Sequence, residues 1–296
     1  MESVRFSLSR EMSRIVYGMW RLADDPDTST SHVCAKIDAC LAQGITTMDQ
    51  ADIYGGYAAE AVLGACFAES PGLRNGLEIV TKCDIVAPVG KYADRRVKYC
   101  GTSLAHITAS VEASLENMGI EQIDLLLVHR PDPLMVGAET RAALDALIDS
   151  GKIKAAGVSN FEPWNWDLLQ ANMTHPLVTN QVELTLAARD GFTNGDLAHA
   201  QRHRIRPMAW SPLSGGDLMT RSGPLGEKLD DIAAAQGLDR AAVSVAWLLA
   251  HPAQILPVMG TNTLSRIATF SDAFKVEMDR QTWFELFKAA NGCELP

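Results

Sequence analysis

The sequence predicts a (β/α)8 TIM barrel, one α/β domain over residues 1–296. Eight short, apolar, often β-branched runs recur along the chain, and amphipathic helical patterns separate them. No GxGxxG turn follows the first run, which argues against the doubly wound sheet that is the other fold such alternation allows. No composition break or Pro/Gly/Ser-rich linker divides the chain.

In chain order, strands are expected at 15–18, 46–49, 78–82, 123–128, 155–158, 179–182, 206–210 and 254–258. Helices are expected at 31–43, 58–69, 103–118, 138–149, 163–172, 195–204, 227–250 with a break at Gly237, and 264–274. Thr102 or Ser103 can cap the third helix, and Pro163 suits a first helical turn. Gly44, Gly119 and Gly151 stand where left-handed C-terminal residues belong. Residues 4–8 and 12–15 suggest an N-terminal β-hairpin closing the barrel bottom, and 278–290 an extra C-terminal helix. Two long connections, 83–102 and 211–226, suggest ligand contacts, because long βα loops gather at the C-terminal face.

The composition is 47% hydrophobic and 21% charged, as in ordinary soluble proteins. The net charge of −10 leaves no basic surplus to neutralise phosphates, so a general nucleic-acid role is excluded. No apolar run is long enough for a membrane span. The six cysteines form no CxxC pair, and no histidine cluster at zinc spacing is apparent, so no metal is expected. Scattered cysteines point to reduced thiols. The first residues lack a long apolar signal segment, and a cytoplasmic location is expected.

Chemistry is suggested where strands end. Asp49 and Tyr54 follow the second run, Lys82 closes the third and His129 closes the fourth. Alone, each is an ordinary packed or solvated residue. Together they describe a phenol beside an ammonium that a carboxylate orients, with an imidazole opposite. An ammonium favours tyrosinate and lowers the phenol pKa. Such a phenol can donate a proton to an oxygen whose carbon receives hydride.

The chain resembles the aldo-keto reductase family. Asp49-Gln-Ala-Asp-Ile-Tyr54-Gly55, followed by Glu60 and Gly64, is similar to that family's signature around its Asp and Tyr. Val80-Thr-Lys82-Cys83 and Leu126-Leu-Val-His129-Arg130-Pro131 are similar to its lysine and histidine strands. Gly157-Val-Ser159-Asn160-Phe161, Asn180-Gln181-Val-Glu183 and Ala209-Trp210-Ser211-Pro212-Leu213 follow in family order. The pattern looks closest to bacterial NADPH-dependent members.

The resemblance implies a catalytic tetrad of Asp49, Tyr54, Lys82 and His129. It implies NADPH, with NADH as the alternative, lying extended across the barrel top. Ser159, Asn160 and Gln181 would bond the nicotinamide amide, and Trp210 would stack on its ring. Ser211, Leu213 and Gly215 lie in a loop whose amides suit a pyrophosphate. Gly260, Thr261 and Asn262 precede the last barrel helix, and Arg266 on that helix suits a 2′-phosphate. Thr261 and Asn262 replace a more basic pair, which weakens the preference for NADPH. Gln50 and Met48 depart from common family residues but carry no chemistry. Trp20, Tyr57, Phe161 and Trp210 are substrate-pocket candidates, and the basic 83–102 loop could cover a substrate. The expected partner is a small carbonyl compound, and the resemblance favours a monomer. The other readings are a cofactor-binding regulatory subunit with little turnover, and a barrel hydrolase or isomerase using Asp49, Glu183 and His129 without a cofactor, which a metal requirement would support.

Overall fold

The computed structural model describes residues 3–7 and 10–294. The chain opens with an antiparallel hairpin of β1 (Ser3–Ser7) and β2 (Arg10–Ser13). Leu8, expected in the first hairpin strand, lies outside the described residues. The strands β3 (Val16–Gly18), β4 (Thr47–Asp49) and β5 (Glu78–Cys83) follow. The short β6 (Ile85–Val86) and β7 (Tyr99–Cys100) pair antiparallel inside the 83–102 connection. The remaining strands are β8 (Leu125–Val128), β9 (Ala156–Ser159), β10 (Leu177–Glu183), β11 (Met208–Trp210) and β12 (Leu256–Met259).

Eight parallel strands close in the order β10-β11-β12-β3-β4-β5-β8-β9, as the alternation predicted. The hairpin sits where the barrel strands begin. Ser13 exchanges hydrogen bonds with Thr47 at the start of β4, its amide donating to Thr47 Oγ1 at 3.0 Å and its Oγ accepting from the Thr47 amide at 3.1 Å.

The helices are α1 (Thr30–Leu41), α2 (Tyr54–Tyr57), α3 (Ala59–Glu69), α4 (Leu104–Met118), α5 (Gly137–Asp149), α6 (Pro163–Gln170), α7 (Asp196–His203), α8 (Gly223–Gln236), α9 (Arg240–Leu249), α10 (Leu264–Ile267) and α11 (Arg280–Asn291). Ser103 caps α4 by accepting from the His106 amide at 3.3 Å. Gly119 ends α4 at φ 62°, and Gly237 separates α8 from α9 at φ 65°. The expected 264–274 helix is instead a single α turn followed by a 3-10 turn at Phe270–Lys275. Thr269 Oγ1 donates to the Arg266 carbonyl, and the Ser271 amide donates to Gln43 Oε1 at 2.8 Å, so side-chain contacts replace the helical ladder.

The expectation of wholly reduced cysteines is corrected. Cys34 on α1 and Cys66 on α3, 32 residues apart, form a disulfide with Cα atoms 6.1 Å apart. The packing of α1 on α3 brings them together, which spacing along the chain could not show. Cys40, Cys83, Cys100 and Cys293 remain thiols.

One apolar cluster spans the barrel floor. It includes Val16, Val80, Leu127, Met208 and Val258, with Met12 joining from the hairpin. Side chains alternate along a strand, so the residue two positions on faces the same way. Val80 therefore places Lys82 inward, Leu127 places His129, and Met208 places Trp210. Each lies at the C-terminal end of its strand. The mouth is built from the same inward faces as the core.

Candidate active site

Lys82 is the centre of the mouth. Its side chain is fully buried, and its Nζ donates to Asp49 Oδ2 at 2.7 Å, the Gln50 carbonyl at 2.9 Å and the Tyr54 hydroxyl at 2.9 Å. Three acceptors match the three N–H donors of an ammonium. Because the Gln50 contact uses backbone, the side chain at position 50 is not part of it. Gln181 Nε2 donates to Asp49 Oδ1 at 3.0 Å, so both carboxylate oxygens are engaged.

Tyr54 is brought in by a tight turn. Gly55 and Gly56 follow it at φ 58° and 64°, and a Cβ on Gly55 would meet the Ala23 Cβ at 2.3 Å. His129 lies edge-on to the Tyr54 ring, with centroids 6.0 Å apart. Its amide donates to the Cys83 carbonyl at 3.0 Å, and its Nδ1 is buried with no hydrogen-bond partner among the described residues.

The electrostatics follow from burial. Loss of water alone would lower the Lys82 pKa, but the Asp49 carboxylate and the Tyr54 oxygen outweigh it and hold the ammonium above its ordinary value. Tyr54 is raised above 10.0: burial dominates, the Lys82 charge opposes it and Asp49 adds to it. This corrects the expectation of a lowered phenol. In this form the phenol is protonated at neutral pH, the state a proton donor requires. Burial, then the Lys82 and Arg130 charges, push His129 well below 6.5, leaving a neutral imidazole.

The residues expected to meet a nicotinamide form one network. Asn160 Oδ1 accepts from Trp210 Nε1 at 2.9 Å. Asn160 Nδ2 donates to Ser159 Oγ at 2.9 Å, and Ser159 Oγ donates to the Gln181 carbonyl at 2.8 Å. Ser159 and Gln181 are buried, whereas Trp210 is half-buried. In the next loop Ser211 Oγ accepts from the Gly215 amide at 2.9 Å. A Cβ on Gly215 or Gly216 would meet no atom within 4 Å, so a ligand can approach their backbone.

The last loop divides. Asn262 is committed to packing: Nδ2 donates to the Arg21 carbonyl at 2.7 Å, and Oδ1 accepts from the buried Lys36 at 3.3 Å. Thr261 accepts the Tyr17 hydroxyl on its carbonyl at 3.1 Å. Gly260 and Arg266 are exposed. Leu213 is half-buried and packs against the core.

The pocket candidates also divide. Phe161 is 1% exposed and belongs to the core, so its place as a pocket residue is corrected; Asn180 holds its backbone on both sides. Tyr57 brackets the 83–102 loop, its hydroxyl donating to the Ile85 carbonyl and accepting from the Ala87 amide, both at 3.0 Å. Trp20 is 59% exposed.

The sequence profile of the Aldo/keto reductase family matches residues 14–290. The chain belongs to the aldo/keto reductase family. It is 60% identical to a 6-dehydroglucose reductase of Agrobacterium fabrum, covering all of both chains. A 6-dehydroglucose reductase of Novosphingobium aromaticivorans is 37% identical, over 96% of this chain and 94% of its own. Among solved structures, an aldo/keto reductase from Klebsiella pneumoniae in complex with NADP and acetate superposes with a TM-score of 0.79. It is 24% identical and covers 99% of this chain and 96% of its own.

The sequence missed one feature of this aldo/keto reductase. Beside Lys82 lies a group of buried acids, Asp52, Glu60 and Asp84. Asp52 is pushed up to about 7 by burial and then by Glu60, and both its carboxyl oxygens lack a hydrogen-bond partner among the described residues. Asp52 stands inside the Asp49–Tyr54 run, but nothing in its spacing announced burial. The backbone offers a second sign. Of the non-glycine residues at positive φ, Tyr57, Asp84, Asn160, Ser211 and Ser214 all follow C-terminal ends of barrel strands. Such strain gathers at functional sites.

Proposed function

We propose that this oxidoreductase reduces the C6 aldehyde of 6-dehydroglucose to the primary alcohol, with NADPH as reductant and Tyr54 as proton donor. The observation that carries the reading is the Lys82 ammonium held between Asp49 and the Tyr54 hydroxyl. Both 6-dehydroglucose reductases are similar over nearly the whole chain.

The residues present suit the cofactor. Trp210 offers a half-buried flat face at the strand end, and the Ser159–Asn160–Gln181 network offers amide and hydroxyl groups beside it. Gly215 and Gly216 leave open space for a pyrophosphate, and the exposed Arg266 fits a 2′-phosphate. When bound, NADPH supplies the hydride.

The chain's own residues handle the proton. The carbonyl oxygen sits between the Tyr54 hydroxyl and the neutral His129 imidazole, which orients it by a hydrogen bond. Tyr54 passes its proton to that oxygen as negative charge grows there, and the adjacent Lys82 ammonium stabilises the tyrosinate left behind. Asp49 keeps that ammonium charged and in place. Arg130 and Glu183 at the mouth offer charged groups to the sugar hydroxyls.

The test is NADPH oxidation by the purified protein with 6-dehydroglucose and with hexanal. The sugar aldehyde is expected to be preferred at least tenfold in kcat/KM, and Tyr54→Phe to lower kcat by about 10²–10⁴-fold. Equal rates on both aldehydes would remove the substrate assignment. Tight NADPH binding without turnover would instead support the regulatory reading.

A further inference from the structure

Away from the barrel mouth, a group of metal-ligating side chains stands on the outer layer, where α6 meets α7. His199 and His203 are four residues apart on α7, so the helical turn stacks them on one face, with ring centroids 4.3 Å apart. Asp167 on α6 faces both. Its Oδ1 lies 3.1 Å from His199 Nε2 and 3.8 Å from His203 Nε2. One ligand atom from each of the three residues lies within 4.8 Å of the others.

We propose that Asp167, His199 and His203 bind Zn2+ or a similar borderline divalent ion, which ties α6 to α7. Two imidazoles and a carboxylate form a donor set that such ions favour over Mg2+ or Ca2+. Tetrahedral ligands at zinc–nitrogen bond lengths stand about 3.3 Å apart, near the spacing found here. The carboxylate is not committed elsewhere: among the described residues its ion-pair partners are these two histidines.

Exposure is graded across the group. The His199 side chain is 11% exposed and Trp166 packs edge-on against its ring, whereas Asp167 is 57% exposed. One ligand is thus set by packing, and the others face solvent, where water can complete the coordination shell. Asp196, in the first turn of α7, lines the crevice behind His199, and its Oδ1 is buried without a partner among the described residues. The sequence had suggested no histidine cluster. The His-x3-His spacing was visible, but its carboxylate comes from a helix 32 residues earlier.

The experiment uses metal-free full-length protein carrying Cys293→Ser, which removes the exposed thiol. Calorimetric titration with Zn2+ is expected to give one site per chain, with a rise in Tm on loading. His203→Ala and Asp167→Asn are each expected to weaken binding at least tenfold and to abolish the Tm rise. Both residues are partly exposed, so the metal-free Tm of the variants should match the parent. Co2+ loading should show weak visible bands without thiolate charge transfer. Absence of Zn2+ binding, binding unchanged in both variants, or a thiolate band would overturn the proposal.

Discussion

The two halves of the barrel mouth are built differently. On the side of β4, β5 and β8, Asp49, Lys82 and His129 are buried, and Tyr54 is tied to them through the Lys82 ammonium. On the side of β11 and β12, Gly215, Gly260 and Arg266 are exposed, and the glycine loop opens to free space. The first half is held together by its own buried hydrogen bonds, and the second leaves backbone open to solvent. Groups that move protons must be fixed in a dry setting, because their pKa values depend on it. Groups that bind a large anion must stay reachable.

The sharpest way to break this contrast is Lys82→Met. It strands the Asp49 carboxylate, and is expected to cost about 3–5 kcal/mol of stability as well as most of the activity. Denaturant melts and single-turnover rates measure the two. The pair Lys82→Met with Asp49→Asn should recover much of the stability and none of the rate. Recovery of rate would place the proton donor elsewhere.

On the open half, Arg266→Ala is expected to raise KM for NADPH about tenfold while leaving KM for NADH and the Tm nearly unchanged. Steady-state kinetics with both cofactors decide it. An equal effect on the two would remove Arg266 from the 2′-phosphate.

A stability effect confined to high pH probes the buried acids. The Asp52 carboxyl is raised to about 7 in the folded chain against 3.8 unfolded, so the native state holds its proton more tightly. Stability from this group is present at low pH and is lost as pH rises from about 4 through 7. Asp52→Asn should therefore raise stability at pH 8 by about 1–3 kcal/mol and change little at pH 4. A uniform shift across pH would show that Asp52 does not titrate in this way.

Much of the site was legible because inward strand positions alternate and functional groups close the strands. Lys82 two residues after Val80, and His129 two after Leu127, are local facts. The packing role of the Asn262 side chain was not legible, because its partners, Arg21 and Lys36, come from the other end of the chain. Phe161 was misread because burial, unlike spacing, is not local. The Cys34–Cys66 bond and the Asp167–His199–His203 group also depend on which helices become neighbours.

By itself, the sequence determined the barrel, the order of its strands and the residues at their ends, because period and spacing act within a few residues. Only the tertiary structure decided that Tyr54 stays protonated. Its pKa is a contest between burial and the Lys82 charge, and both are set by residues that meet only when the barrel closes.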